Sequence, residues 1–176
     1  MIFDNKITVD RAKKVLKPGL LILIAALIAM ACWFAHYLIY LPSPSEKLTV
    51  WIATSDVTFD GDTLDTVRQT AQANGITTCN FILRNPDDQY YDAAFSLSGY
   101  YSSDIFILPE EQVERYAPTA LFLPLENTDG YKYTDKTIGL HLKDDIYVLI
   151  NYRSTKDEAF LLDVAKFLAD SQQEVE

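Results

Sequence analysis

Asp56-Val-Thr-Phe-Asp60-Gly-Asp62 sets oxygen-bearing side chains at alternate positions around a glycine, as in the first half of a calcium loop. The bidentate glutamate that would close such a loop at its twelfth position is absent, because Val67 stands there. Asp56, Asp60 and Asp62 therefore read first as an acidic loop capping a helix, with calcium as the alternative. Cys79 lies inside an apolar run and reads as a small core residue. His141, between Leu140 and Leu142, reads as a strand residue facing solvent. Tyr90, Tyr91, Tyr100 and Tyr101 have the type that stacks on sugar rings, but their positions suit packing at the rim of a core. These residues form no nucleophile–base pair, metal cluster or phosphate loop, so the chain reads as a non-enzyme without a cofactor.

The elements that must position these residues follow from hydropathy and charge. Gly19 to Leu41 contains no Asp, Glu, Lys or Arg. As a helix it covers about 34 Å, enough to cross a hydrocarbon core of roughly 30 Å. Trp33, Tyr37 and Tyr40 fall in its second half, where rings settle at a membrane boundary, and Pro42 and Pro44 stop it. Residues 1–18 hold five basic and two acidic residues, a net of +3. That excess places the N-terminus in the cytoplasm and the rest outside, in a cell membrane protein crossing once. The run is too long for a cleaved signal peptide, and lipidation at Cys32 is a lesser alternative. Beyond residue 42 the chain carries ten basic against twenty-three acidic residues, a net of −13. That excess argues against nucleic acid as a partner.

After a linker at 42–47, strands are expected at 48–53, 77–84, 104–108, 137–142 and 145–152. Helices are expected at 62–75, 87–98, 110–116 and 157–172, the first capped by Asp62. In the second, Tyr91, Ala94, Phe95 and Leu97 point inward and Gly99 closes it. An apolar segment, 121–125, docks on the core, and 127–136 is a turn-rich stretch. Alternating strands and helices imply a three-layer α/β/α domain over 48–176 with a mainly parallel sheet and a hairpin-like or crossing strand near Asp145. In such sheets ligands sit beyond the carboxyl ends of the strands. That edge presents Thr54, Ser55 and Asp56, then Arg84 and Asn85, then Pro109 and Glu110, which are the candidate ligand or partner face.

Several segments carry a resemblance in consistent order. They are Leu48-Thr-Val-Trp51, Tyr91 with Leu97-Ser-Gly99, Ser103-Asp-Ile-Phe-Ile-Leu108, Tyr116-Ala117, Leu123-Pro-Leu125, Ile138-Gly-Leu140 and Tyr147-Val-Leu-Ile-Asn-Tyr152. Together they resemble the first lobe of an extracellular solute-binding protein of ABC importers, which implies a periplasmic-binding-protein-like type II fold. In that family a second lobe follows the crossing strand and solute is held between the two. Here Asn151-Tyr-Arg-Ser154 passes almost at once into Asp157-Glu-Ala-Phe160 and Ala165-Lys-Phe-Leu-Ala-Asp-Ser171, which resemble a helix the family places much later. One wall of a cleft does not bury a small ligand. The resemblance then implies a membrane-anchored, non-catalytic module that recognises another envelope or transport protein. The alternative is a minimal solute receptor that completes its cleft by dimerisation or with a partner. Thr78-Cys79 with Arg84 also resembles sortases, which are membrane-anchored cysteine transpeptidases. Their catalytic histidine precedes the cysteine, whereas His141 follows Cys79, and α/β alternation is not their β-barrel.

Overall fold

The computed structural model describes residues 5–40, 43–126 and 128–173. The chain divides into two compact units, one ending at residue 41 and the other beginning at residue 42. The first is helix α1, Asn5–Tyr40, with Pro18 inside it. Within it Pro18–Leu38 is long and apolar enough to cross a membrane. The helix thus begins fourteen residues before the expected start at Gly19, taking residues 5–18 of the basic tail into the same rod. Leu41 and Pro42, the expected end of the span and its first breaker, lie outside the described residues, as do Asn127, residues 1–4 and the C-terminal 174–176.

The second unit is a mixed α/β domain around one six-stranded sheet. The strands are β1 Lys47–Ile52, β2 Thr78–Leu83, β3 Ile105–Pro109, β4 Tyr131–Tyr133, β5 Lys136–Lys143 and β6 Ile146–Ile150. Their spatial order is β2-β1-β3-β6-β5-β4. β1 pairs in parallel with β2 and β3, whereas β3–β6, β5–β6 and β4–β5 are antiparallel. The expectation of a mainly parallel sheet is corrected to a mixed one. β5 and β6 form a hairpin through Asp144, which adopts a left-handed φ of 46°. β6 returns between β3 and β5, so every neighbour it has runs the other way.

Period-two alternation sends the strand residues to two apolar clusters, one on each face. Leu48, Val50, Ile52, Ile105, Ile107, Val148 and Ile150 meet Val67 and Ala71 of α2 (Gly61–Ala73) and Leu161, Val164 and Leu168 of α6 (Glu158–Gln173). Trp51, Phe106, Leu108 and Leu149 face the other way. They meet Tyr91 of α3 (Tyr91–Ala94), Phe95 of the π-helical turn Phe95–Gly99, and Val113 of α5 (Glu110–Tyr116). Helix α4 is Tyr100–Ser102. β3 has no exposed side chain from Ile105 to Leu108, as expected of a strand covered on both faces.

Three local expectations are corrected. Asp60, not Asp62, caps α2: its carboxylate accepts the Thr63 N–H at 2.7 Å, which places the cap two residues earlier. Leu97 does not point inward. Tyr91 and Phe95 point inward with Ala94 half-buried beside them, whereas Leu97, two residues past Phe95 in the π turn, is 82% exposed. Gly99 does not end the helix but lets it pass close to the core, since a Cβ there would lie 2.9 Å from Phe95 Cδ2 and 3.2 Å from Trp51 Cε3.

The turn-rich stretch contains β4, held on the sheet by a close backbone approach. A Cβ on Gly130 would overlap the Gly139 carbonyl oxygen. Gly130→Ala is therefore expected to unpair β4 and lower stability by roughly 2–3 kcal/mol. Urea unfolding measures this, and a loss below about 0.5 kcal/mol, the size of an ordinary surface substitution, would show that the loop yields freely.

Candidate functional site

β1, β2 and β3 run in parallel, so their carboxyl ends reach one edge of the sheet and bring the seven expected residues there. Each loop is fastened by its own hydrogen bonds. Thr54 is buried, and its Oγ1 accepts the Asp56 N–H at 3.1 Å. The Arg84 N–H donates to the Ile52 carbonyl at 2.8 Å, leaving its side chain exposed. Asn85 Oδ1 accepts the Asp87 N–H at 3.0 Å, an Asx turn after the strand. Pro109 ends β3, and the Glu110 N–H donates to the Asp145 carbonyl at 2.7 Å, tying α5 to the β5–β6 hairpin. Backbone and short side chains are thus fixed, while Ser55, Asp56 and Arg84 remain exposed.

Beside Glu110 lies a group that sequence reasoning missed. Tyr131 of β4 and Tyr147 of β6 meet edge to face at 5.1 Å, and His141 of β5 stands edge-on to Tyr147 at 5.8 Å. Glu114 lies one helical turn after Glu110 on α5. Burial pushes both phenols up, and the carboxylates push them further: Glu114 and Glu110 act on Tyr131, Glu110 and Asp145 on Tyr147. Two half-buried rings in a negative field favour a cation over an anion. The signal in the sequence was Tyr131-Lys-Tyr133, too short to read as a strand.

The remaining candidates are not assembled into sites. Cys79 lies on β2 and His141 on β5, four strand spacings apart, or about 19 Å. Burial also raises the Cys79 thiol, away from the reactive thiolate. His141 Nε2 lies 2.8 Å from the Asp144 carbonyl, within its own hairpin. The Asp60 carboxylate is held by Thr63, whose hydrogen bonds lower its pKa from the ordinary 3.8. Among the described residues no group of three or more His, Cys, Asp or Glu is arranged to hold a metal ion. The four tyrosines do not form one platform. Tyr91 is a core residue against Trp51 and Phe95, Tyr90 is exposed beside it, and Tyr100 and Tyr101 stand together further along the chain.

Grooves among the described residues include three on the α/β domain. One of about 450 Å³ runs between Asp129–Gly130, His141 of β5 and Lys166 and Asp170 of α6. A second, of about 630 Å³, lies by Glu126, Lys132 and Asp135. A third, of about 190 Å³, is lined by Pro118, Phe122, Pro124 and Tyr133. None of the three is lined by the seven edge residues.

The opposite, amino edge carries a buried polar network. Asp104 and Lys156 form an ion pair at 2.8 Å with side chains only 7% and 6% exposed. Asp104 also accepts the Thr49 N–H at 2.9 Å and the Ser154 hydroxyl at 2.7 Å. Asn151, equally buried, donates to the carbonyls of Ser103 at 2.6 Å and Tyr100 at 3.2 Å. The network closes the seven-residue connection from β6 to α6.

No family model matches the chain, and no curated protein matches it. Among solved structures it is similar to thiaminase I from Bacillus thiaminolyticus, with 16% identity and a TM-score of 0.36. The match covers 55% of this chain and 28% of that one. That neighbour is an enzyme, so the expectation that this chain is not an enzyme is withdrawn, although a likeness of this extent carries no argument for a particular activity.

Proposed function

We propose that the chain is a single-pass membrane protein whose acidic α/β domain, outside the cell, recognises a partner protein of the envelope or of a transport complex. In this reading the domain is a three-layer lobe of the periplasmic-binding-protein-like type II kind, and its carboxyl edge is the recognition face. One observation carries the reading. β6 passes to α6 in seven residues, so no second lobe is inserted where the resemblance places one, and the edge stands as an open wall with fastened loops. The orientation is supported by the basic excess of residues 1–18. The negative field around Glu110, Glu114 and Asp145 favours a basic surface on the partner.

Photo-crosslinking in native membranes tests it, with a crosslinking side chain at Ser55, Arg84 or, as a reference on α6, Asp163. Adducts to one protein from Ser55 and Arg84 but not from Asp163 are expected. Equal labelling at all three would remove the assignment of this edge.

The tyrosine–carboxylate group favours a second reading, a receptor for a small organic cation whose cleft is completed by another copy or a partner. A thermal-shift series with amines and amino acids, read beside light scattering, separates the two: a ligand-dependent dimer supports the receptor.

A further inference from the structure

On one side the sheet ends in β2, which pairs with β1 and faces no strand on its outer side among the described residues. Its pairing runs without a bulge from Lys47↔Thr78 to Ile52↔Leu83. Thr78-Cys-Asn-Phe-Ile-Leu83 holds no charged residue and no proline. The other edge strand is guarded: β4 has three residues, an exposed Lys132 in the middle and a register shift beside it. Short length, a lysine and a bulge are what keep a sheet edge from pairing with another chain, and β2 has none of them.

Strand geometry identifies the free groups. The Arg84 N–H donates to the Ile52 carbonyl at 2.8 Å, and on the far side of β1 the Ala53 N–H donates to the Ile107 carbonyl at 2.8 Å. Alternate residues of a strand direct their N–H and C=O to the same side, so Thr78, Asn80 and Ile82 turn theirs to β1. The N–H and C=O of Cys79, Phe81 and Leu83 therefore point outward. The side chains of Cys79 and Phe81 pack half-buried against the cluster under α2 and α6, and Leu83 at the end of the strand is 61% exposed.

We propose that β2 is a self-pairing edge, which joins a second copy of this chain in antiparallel register across a two-fold axis at Phe81. The strand is complementary to itself in that register. Hydrogen-bonded antiparallel pairs must oppose outward-pointing residues. Centring on Phe81 sets Phe81 against Phe81 and Cys79 against Leu83, so every outward N–H and C=O of the strand finds a partner. An axis at Asn80 would instead leave Leu83 facing Thr77, outside the strand. In the Phe81 register Leu83 is covered, Asn80 faces Ile82 and Thr78 faces Arg84. No like charges are opposed, although each copy carries a net −13 beyond residue 42. The two carboxyl edges point opposite ways, so this pairing closes no cleft between them and is separate from the recognition face proposed above.

The test uses the full chain in detergent at about 0.3 M salt, where screening limits repulsion between two acidic domains. In a Cys32→Ala/Cys79→Ala background, Asn80→Cys and Ile82→Cys proteins are mixed and oxidised. These positions oppose each other at a non-hydrogen-bonded site, where Cβ atoms come within disulfide reach. The mixture is expected to give at least about fivefold more disulfide-linked dimer than Asn80→Cys alone, whose two copies lie on a diagonal about 7–8 Å apart. Leu83→Pro removes an outward N–H and leaves the β1 ladder intact, so it should bring the yield down to that of Asn80→Cys alone. Leu83→Val keeps the N–H and should keep the yield. Equal yields from the mixture and from Asn80→Cys alone, or a yield indifferent to Leu83→Pro, would overturn the proposal. Light scattering of the chain without substitutions reads it independently: a mass of one chain at every concentration overturns it. Crosslinks from position 82 to a different protein in native membranes, with none between copies, would assign the edge to a partner's strand and overturn it as well.

Discussion

Lys156→Met is expected to destabilise the domain by about 3–5 kcal/mol, the usual cost of stranding a buried charge. The Asp104 carboxylate would keep the Thr49 N–H and the Ser154 hydroxyl but lose its cationic partner, in a site where its side chain is 7% exposed. The same substitution also removes the donor to the Pro44 carbonyl. Asp104→Asn/Lys156→Met is expected to regain much of the loss, because a neutral pair leaves no stranded charge. Urea unfolding followed by Trp51 emission reads both, with the slope m unchanged if only stability moves. Equal losses in the single and double variants would mean that packing, not charge pairing, holds this edge.

Phe95→Ala is expected to cost about 3–5 kcal/mol, as for large aromatic truncations in a core. Phe95 is 1% exposed and sits among four rings: Tyr116 at 4.1 Å, Phe106 at 5.6 Å, Trp51 at 5.7 Å and Tyr91 at 6.0 Å. Removing it empties the space under the π turn, and the neighbours on β1 and β3 cannot close it without leaving the sheet. Phe95→Leu should lose less, since part of the volume stays. A loss under about 1 kcal/mol for Phe95→Ala, by the same unfolding measurement, would show that α3 and α4 collapse onto the sheet and that the aromatic cluster is not rigid.

Elements with a strong local pattern were legible in the sequence. β3 is apolar at every position from Ile105 to Leu108, α5 was placed at its observed bounds, and α6 repeats its apolar face over four turns. The carboxyl edge followed from strand direction, so its seven residues were placed without any contact being known. β4 was not legible, because three residues at a sheet edge have no period to read and exist as a strand only through β5. The π turn depends on Trp51 pressing against Gly99, forty-eight residues away in sequence. Asp104 and Lys156 are fifty-two residues apart and ordinary in type, so nothing before folding pairs them. The cap of α2 was misplaced for a simpler reason: Asp60 and Asp62 are equally good by type, and only the Thr63 N–H decides between them.

The folded entry turn at Pro44–Glu46 joins three stretches of the chain, since its carbonyls accept Lys156 Nζ and the Thr77 N–H. The start of β1, the start of β2 and the connection into α6 therefore open together, and their amide protons should exchange as one cooperative unit.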